Sequence, residues 1–219
     1  MNFDLFGDLS TNNQLQGRED ICAGAVVLHG FALETETALL EGIEHTIAAS
    51  PLQTMRTPSG LPMSVTTTSC GTAGWVSDAY GYRYTKRNLK SQQQWPPMPD
   101  SFFALAQNAA KTAGFENYSP DSCLINRYQV GAKMTLHQDK NEKDFSQPIV
   151  SVSLGLPAIF LLGGMERSDQ TVRIPLIHGD VVVWGGQSRL RFHGILPIKA
   201  GNHPLLGEQR INLTFRKAL

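Results

Sequence analysis

Two histidines and one aspartate have the types and spacing to bind a metal ion. His137 and Asp139 lie two residues apart in the segment Leu136-His-Gln-Asp-Lys140. In a β-strand, residues with this spacing project to the same face. A second imidazole from a distant strand would complete the two-histidine, one-carboxylate set that leaves positions open for Fe(II) oxygen chemistry. His193, in Arg191-Phe-His-Gly194, is the candidate for that third ligand.

The His-x-Asp motif is weak evidence by itself, because the chain contains a second match, His178-Gly-Asp180. Gly179 immediately precedes the apolar run Val181–Trp184, so we interpret this second match as a turn in which Asp180 accepts hydrogen bonds from local backbone amides. On the motif alone, a solvated polar strand face explains His137 and Asp139 as well as a metal site does.

The segment Arg210-Ile-Asn-Leu-Thr-Phe-Arg216 alternates between polar and apolar residues. This pattern predicts a strand whose one face carries Arg210, Asn212, Thr214 and Arg216, and whose other face carries Ile211, Leu213 and Phe215. Asn126 and Tyr128 repeat the polar spacing just before the His-x-Asp strand. Two arginines inside a β-sandwich would be costly unless an anion paired with them. A dicarboxylate co-substrate fits, since arginine binds carboxylates in a bidentate manner.

Two helices are expected before the β-rich part of the chain. Apolar residues recur with helical spacing from Glu34 to Ala49, and Pro51 follows. The second helix is predicted from about Pro99 to Ala113, with Asp100 or Ser101 as its cap and Gly114 at its end. Between them, residues 55–97 are rich in Gly, Ser, Thr, Tyr and Pro, which favours short hairpins and loops over core elements.

From residue 123 onward the sequence predicts short strands separated by Gly and Pro. The candidates are Cys123–Val130, Met134–Gln138, Ile149–Leu156, Ala158–Leu162, Val172–Ile177, Val181–Trp184 and Arg210–Phe215. Such spacing is typical of an antiparallel sandwich or barrel. The predicted fold class is α+β, mainly β. It has a double-stranded β-helix (jelly roll) core at about residues 120–219, with the helices packed outside.

The overall composition excludes several classes of protein. The formal net charge is zero, with 19 Lys+Arg against 19 Asp+Glu, so any nucleic-acid contact must come from a local basic patch. The three cysteines, Cys22, Cys70 and Cys123, form no Cys-x-x-Cys pair, which favours a reduced, cytoplasmic setting. No apolar run approaches the roughly 20 residues that cross a bilayer, so we expect no membrane partner. We expect a monomer, since the sequence carries no interface signal.

Several motifs occur together and in order. They are Thr57-Pro-Ser-Gly60, Gly74-Trp75, Asn126-Arg-Tyr128, His137-Gln-Asp-Lys140, Val150-Ser-Val-Ser-Leu-Gly155, His178-Gly-Asp-Val-Val-Val-Trp-Gly-Gly186, Ser188-Arg-Leu190, His193-Gly194 and Arg210-Ile-Asn-Leu-Thr-Phe-Arg216. In this combination the chain resembles the AlkB family of alkylation-damage repair dioxygenases over nearly its whole length beyond the first 20 residues. The residues from about Gly7 to Asp20 are polar and aperiodic, which predicts a flexible arm at residues 1–20. The resemblance implies one Fe(II)/2-oxoglutarate dioxygenase domain at 21–219, with a nucleotide-recognition lid at about 55–90.

The resemblance also implies the cofactors. Fe(II) would be held by His137, Asp139 and His193, with O2 and 2-oxoglutarate as co-substrates. The residues that it assigns to 2-oxoglutarate are Asn126, Arg127, Tyr128, Arg210, Asn212, Thr214 and Arg216. Arg210, with Asn126 and Tyr128, would hold the far carboxylate, and Arg216, with Asn212, would support the end nearer the metal. Oxidative decarboxylation gives succinate and CO2, and the N-methyl group of a damaged base leaves as formaldehyde.

The implied substrate is DNA that is single-stranded or has the damaged base flipped out, with RNA left open. Its expected contacts are Trp75, Tyr82, Arg83, Tyr84, Asn141 and Arg167. Trp75 would stack on the base against His137, and Arg83, Lys86, Arg87 and Lys90 form the best local basic cluster. The sequence departs from the family at Asn141, where an Asp is typical, and at Leu61, where a Tyr is expected. Asn141 lacks the charge that favours a cationic base.

Two other interpretations remain at this stage. One is a 2-oxoglutarate oxygenase that uses the same core on RNA, a protein side chain or a metabolite. The other is a jelly-roll binding protein without catalysis, which predicts an incomplete set of metal ligands or arginines. All of these residues are present in the chain.

Overall fold

The computed structural model describes residues 17–219. Its α-helices are α1 (Glu36–Ala49) and α2 (Asp100–Thr112). Its strands are β1 (Gly17–Cys22), β2 (Ala25–His29), β3 (Gln53–Arg56), β4 (Pro62–Gly71), β5 (Gly74–Asp78), β6 (Gly81–Thr85), β7 (Ser122–Gln129), β8 (Met134–His137), β9 (Ile149–Gly155), β10 (Ala158–Leu162), β11 (Val172–Leu176), β12 (Val181–Trp184), β13 (His193–Ile195) and β14 (Gln209–Arg216). Short 3-10 helices occupy Leu33–Thr35 and Gly186–Ser188.

The strands form two sheets and one separate hairpin. The large sheet has the order β1-β2-β12-β9-β14-β7-β4-β3, and the small sheet has the order β11-β10-β13-β8. An apolar cluster that includes Val182 and Trp184 of the large sheet and Phe160, Leu162 and Ile195 of the small sheet joins them. The two sheets therefore make the predicted double-stranded β-helix. Among the described strands, β5 and β6 pair only with each other, although β5 packs against β3, β4 and β7 of the large sheet.

The helices cover the outer face of the large sheet, as the sequence predicts. The apolar residues of β14 lie in one buried cluster with residues of both helices, including Leu39 and Phe102. The rings of Phe102 and Phe215 meet edge to face with their centroids 5.9 Å apart. Because β14 alternates, this packing turns its four polar residues toward the space between the sheets.

Strand β4 corrects the prediction that residues 55–97 would contain only short hairpins and loops. It is ten residues long, it pairs with β7 from Thr66 to Gly71, and it buries Val65 and Cys70. The run of Thr and Ser conceals its apolar alternation. Threonine nevertheless favours strands, because its branched side chain packs well on a pleated surface.

Two predicted boundaries differ slightly from the structure: the end of the N-terminal arm and the start of the second helix. Residues 17–20 of the predicted arm pair with β2 as part of β1, and residues 1–16 lie outside the described residues. Neither Asp100 nor Ser101 caps α2: the N-cap residue is Pro99, and the Ser101 hydroxyl donates instead to the carbonyl of Ala38. Gly114 does follow the helix, with a φ of +94°.

Within residues 17–219, no helix is long and apolar enough to span a bilayer.

The second His-x-Asp motif is a turn, as predicted. The buried carboxylate of Asp180 accepts hydrogen bonds from the backbone amides of Ile177 and Gly30, both at 2.9 Å. Asp180 thereby joins the β11–β12 connection to the end of β2.

We predict that Asp180→Ala lowers the free energy of unfolding by about 3 kcal/mol, because two buried amides lose a charged acceptor. The measurement is urea denaturation followed by circular dichroism. Asp144→Ala is the matched control, since Asp144 also accepts from a backbone amide, that of Ser146, but in an exposed turn. Equal denaturation midpoints for the two variants would contradict the structural role of Asp180.

Candidate metal centre and co-substrate pocket

A cavity of about 750 Å³ opens between the two sheets and contains the three predicted metal ligands. His137 ends β8 and His193 begins β13, and the two residues are partners in the antiparallel register of these strands. Asp139 follows β8 by two residues. Its carboxylate oxygens lie 3.8 Å from His137 Nε2 and 3.7 Å from His193 Nε2. The three possible ligand atoms lie within 4.8 Å of one another, a spacing that suits one metal ion.

Hydrogen bonds behind the rings orient both imidazoles for metal binding. His137 Nδ1 lies 2.8 Å from the carbonyl of Thr135, and His193 Nδ1 lies 3.1 Å from the carbonyl of Arg191. Since a carbonyl can only accept, each Nδ1 carries the proton and each Nε2 presents its lone pair to the site. This arrangement is the usual one for histidines that bind a metal.

The surroundings of Asp139 and His193 keep these two ligands in the forms that bind metal. Burial alone would raise the pKa of the Asp139 carboxyl, but Arg216 and the two histidines together hold it well below its usual range. Burial, with a smaller contribution from His137, lowers the pKa of His193 to about 3. Asp139 is therefore a carboxylate and His193 is neutral at physiological pH. These residues fit Fe(II), for which two neutral imidazoles and one carboxylate are a characteristic set.

Buried guanidinium groups mark the place of the co-substrate. Arg210 is 1% exposed, and only its Nη2 has a hydrogen-bond partner within residues 17–219, the Ser153 hydroxyl at 3.0 Å. Its Nε and Nη1, the Nη1 of Arg216 and the Oδ1 of Asn126 are buried without a partner in the described part of the chain. Unpaired buried donors on two cations are costly, and a dicarboxylate would satisfy them. The pocket therefore fits 2-oxoglutarate.

Six of the seven residues predicted for 2-oxoglutarate line this cavity: Asn126, Tyr128, Arg210, Asn212, Thr214 and Arg216. Arg127 does not, because the alternation of β7 places it on the opposite face, where its Nε donates to the Thr66 hydroxyl at 3.2 Å. The assignment of Arg127 to the co-substrate is thus corrected.

The predicted substrate residues separate into two groups. Trp75, Tyr82, Asn141 and Arg167 line the same cavity as the metal ligands. The rings of Trp75 and Tyr82 stack with centroids 5.6 Å apart and planes 14° apart. Asn141 Oδ1 accepts from Trp75 Nε1 at 3.4 Å, and its amide nitrogen donates to the Tyr82 carbonyl at 3.3 Å. Asn141 therefore ties the hairpin to the segment after the metal ligand.

Arg83 and Tyr84 do not reach the cavity. Arg83 forms a two-bond ion pair with Asp78, with its nitrogens 2.7 and 2.8 Å from the carboxylate oxygens. Tyr84 turns inward, and its hydroxyl donates to Glu142 Oε1 at 2.6 Å. Of the predicted basic cluster, Lys86, Arg87 and Lys90 remain exposed beside the hairpin.

Sequence reasoning missed Glu142 and Arg189, two buried ionic residues next to the metal ligands. Their side chains are 2% and 3% exposed and form an ion pair at 3.1 Å. Arg189 also donates to the backbone carbonyl of Asp139 at 2.8 Å. Glu142 lies in the charged run Asp139-Lys-Asn-Glu-Lys143, which gives no sign of burial. The one sequence feature that pointed to Arg189 was its place in the Ser188-Arg-Leu190 motif.

The fold and the site together define an Fe(II)- and 2-oxoglutarate-dependent oxygenase. The model of the 2OG-Fe(II) oxygenase superfamily matches residues 24–216, and the chain belongs to this superfamily. The chain is 51% identical over 215 residues to the alpha-ketoglutarate-dependent dioxygenases AlkB of Salmonella typhimurium and of Escherichia coli, covering 98% of this chain and 97% of each relative. It is therefore an enzyme that uses Fe(II), 2-oxoglutarate and O2.

More distant relatives share the fold. A solved structure of OsALKBH1 is similar with a TM-score of 0.79 and 28% identity, over 92% of this chain and all of that chain. The human nucleic acid dioxygenase ALKBH1 is 31% identical over 121 residues, which are 55% of this chain and 31% of the relative.

We predict that Arg210→Ala weakens 2-oxoglutarate binding about 100-fold, since it removes charged hydrogen bonds to one carboxylate. The measurement is quenching of tryptophan fluorescence as 2-oxoglutarate is added to the Mn(II)-loaded protein. Arg127→Ala is the control, because it removes an arginine from the other face of the neighbouring strand. Similar losses in both variants would show that Arg210 acts through general stability.

Proposed function

We propose that this dioxygenase removes N-methyl groups of the 1-methyladenine and 3-methylcytosine type from DNA, with release of formaldehyde and conversion of 2-oxoglutarate to succinate. One observation carries the proposal: the stacked aromatic pair Trp75 and Tyr82 lines the same cavity as the metal ligands. A flat ring beside a metal centre suits a planar base. The similarity to the human nucleic acid dioxygenase ALKBH1 supports the same substrate class.

In this proposal the residues of the chain bind and orient the reactants. The damaged base stacks on Trp75, with His137 on its other side, so that its methyl group faces the metal. A base cannot reach the cavity while it is stacked in a duplex, so the substrate is single-stranded or the base is flipped out. The iron, when bound with 2-oxoglutarate and O2, supplies the oxidising power, and the protein supplies position and exclusion of water.

The two arginines of β14 orient 2-oxoglutarate in this proposal. Arg210, with Tyr128 and Asn126, holds the far carboxylate deep in the pocket. The ring of Tyr128 lies 5.0 Å from Arg210 Cζ, which supports this grouping. Arg216, with Asn212, supports the end nearer the metal, because Arg216 already contacts Asp139 at 2.7 Å.

Phosphate contacts come from the exposed Lys86, Arg87 and Lys90, in place of a globally cationic surface. Arg167 lies over the Phe192 ring, 5.3 Å from its centroid, and flanks the base pocket. We propose that the protein acts as a cytoplasmic monomer. RNA with the same methylated bases is the principal competing substrate.

We expect formaldehyde release from a single-stranded DNA oligonucleotide with 3-methylcytosine, in the presence of Fe(II), ascorbate and 2-oxoglutarate. Mass spectrometry of the oligonucleotide should show the loss of one methyl group. His137→Ala, which removes one half-buried ligand, should reduce the rate by at least about 100-fold. Release from an RNA oligonucleotide alone would move the function to RNA. Succinate formed only with a protein or metabolite would reject a nucleic-acid substrate.

We also predict that Asn141→Asp shifts the enzyme toward bases that are cationic when methylated, because a carboxylate near the base attracts their charge. The ratio of kcat/KM for 3-methylcytosine to that for a neutral methylated base, such as 3-methylthymine, should rise several-fold. The unsubstituted protein, with its amide, is the matched reference. If the variant and the unsubstituted protein had the same ratio, the charge of residue 141 would not affect the preference between cationic and neutral bases.

A further inference from the structure

The buried carboxylate of Glu142 contacts both the β5–β6 hairpin and the residues around the metal ligands. Glu142 accepts from the Tyr84 hydroxyl at 2.6 Å, pairs with Arg189 at 3.1 Å and lies 3.4 Å from Arg216 Nε. Arg216 in turn donates to Asp139 through Nε and Nη2, at 2.9 and 2.7 Å. A continuous chain of contacts therefore runs from the hairpin to a metal ligand.

The charges of these buried side chains distinguish the Tyr84 hydrogen bond from the ion pairs around Glu142. Asp139 and Glu142 carry two negative charges, and Arg189 and Arg216 carry two positive ones, so the buried group is neutral without Tyr84. The Tyr84 hydroxyl is uncharged and does not alter this balance. Its bond adds a connection to the hairpin instead.

Several side-chain bonds hold the hairpin in position. Asn141 bonds Trp75 and Tyr82, and the Ser77 hydroxyl donates to the carbonyl of Arg56 in β3 at 2.6 Å. The Tyr84 bond adds the connection to Glu142. Among the described strands, β5 and β6 pair only with each other and belong to neither large nor small sheet. Tyr84 lies directly opposite Trp75 in the register of the hairpin. The strand pair also carries Trp75. The bond from Tyr84 to the buried Glu142 carboxylate therefore attaches this strand pair to the floor of the pocket.

We propose that Glu142 is a positioning residue with two functions: it holds the hairpin through Tyr84, and it orients Arg216 for the co-substrate. The first function rests on the proposed base-stacking role of Trp75. The second depends only on the co-substrate pocket. The alternative is that Glu142 merely neutralises Arg189 and contributes to stability.

The test compares Tyr84→Phe and Glu142→Gln. Tyr84→Phe removes only the hairpin bond, so amide hydrogen exchange should become faster in residues 75–85 but stay the same in residues 209–216. KM for a methylated oligonucleotide should rise about tenfold, far more than kcat falls, and the 2-oxoglutarate Kd should not change. Glu142→Gln keeps an oxygen that can accept from the Tyr84 hydroxyl but loses the charge that faces Arg189 and Arg216. It should therefore leave hairpin exchange unchanged and raise the 2-oxoglutarate Kd about tenfold, measured on the Mn(II)-loaded protein without oligonucleotide.

Glu166→Gln is the matched control, because it makes the same change in an exposed loop. The hairpin function is overturned if Tyr84→Phe leaves the exchange of residues 75–85 unchanged. The co-substrate function is overturned if Glu142→Gln lowers the melting temperature but leaves the 2-oxoglutarate Kd unchanged. Both readouts work without a nucleic-acid substrate. If the unsubstituted protein released no formaldehyde from DNA, that result would reject the proposed function and still leave the role of Glu142 measurable.

Discussion

The ion pair between Arg216 and Asp139 is the interaction on which the site depends. Both side chains are nearly buried, and a lone buried charge in either place would be strongly destabilising. The pair keeps Asp139 ionised and directed at the two histidines. It also holds Arg216 with one nitrogen free toward the cavity. The metal site and the co-substrate site therefore share one side chain, and the final strand of the fold must be in place before either exists.

This dependence explains the position of β14 in the large sheet. The strand is paired on both sides, with β7 and with β9, so its register is fixed along most of its length. Its apolar face packs on the helices, and its polar face forms the wall of the pocket. The apolar core beneath the helices thus determines the direction of Arg210 and Arg216, which project from the opposite face of the strand.

Regular alternation made much of this site predictable from the sequence. The period of β14 identifies its four pocket residues, and the same rule, applied strictly to β7, would have excluded Arg127. The glycine at position 179 correctly indicated that the second His-x-Asp motif is a turn and not the metal site. Strand β4 was missed because threonine and serine obscure its pattern. Glu142 was missed because its burial depends on Arg189 and Tyr84, which are distant in sequence. No local pattern reports such tertiary pairing.

The separation of the β5–β6 hairpin from both sheets has a consequence for how such enzymes diversify. Substitutions in the hairpin can alter the surface that meets the substrate without disturbing the strands that generate the oxidising centre. The floor of the cavity, in contrast, tolerates little change, since β14 uses one face for the core and the other for the pocket. The strands of the two sheets can thus preserve the reaction, while the hairpin is the part of the chain in which substrate recognition can change.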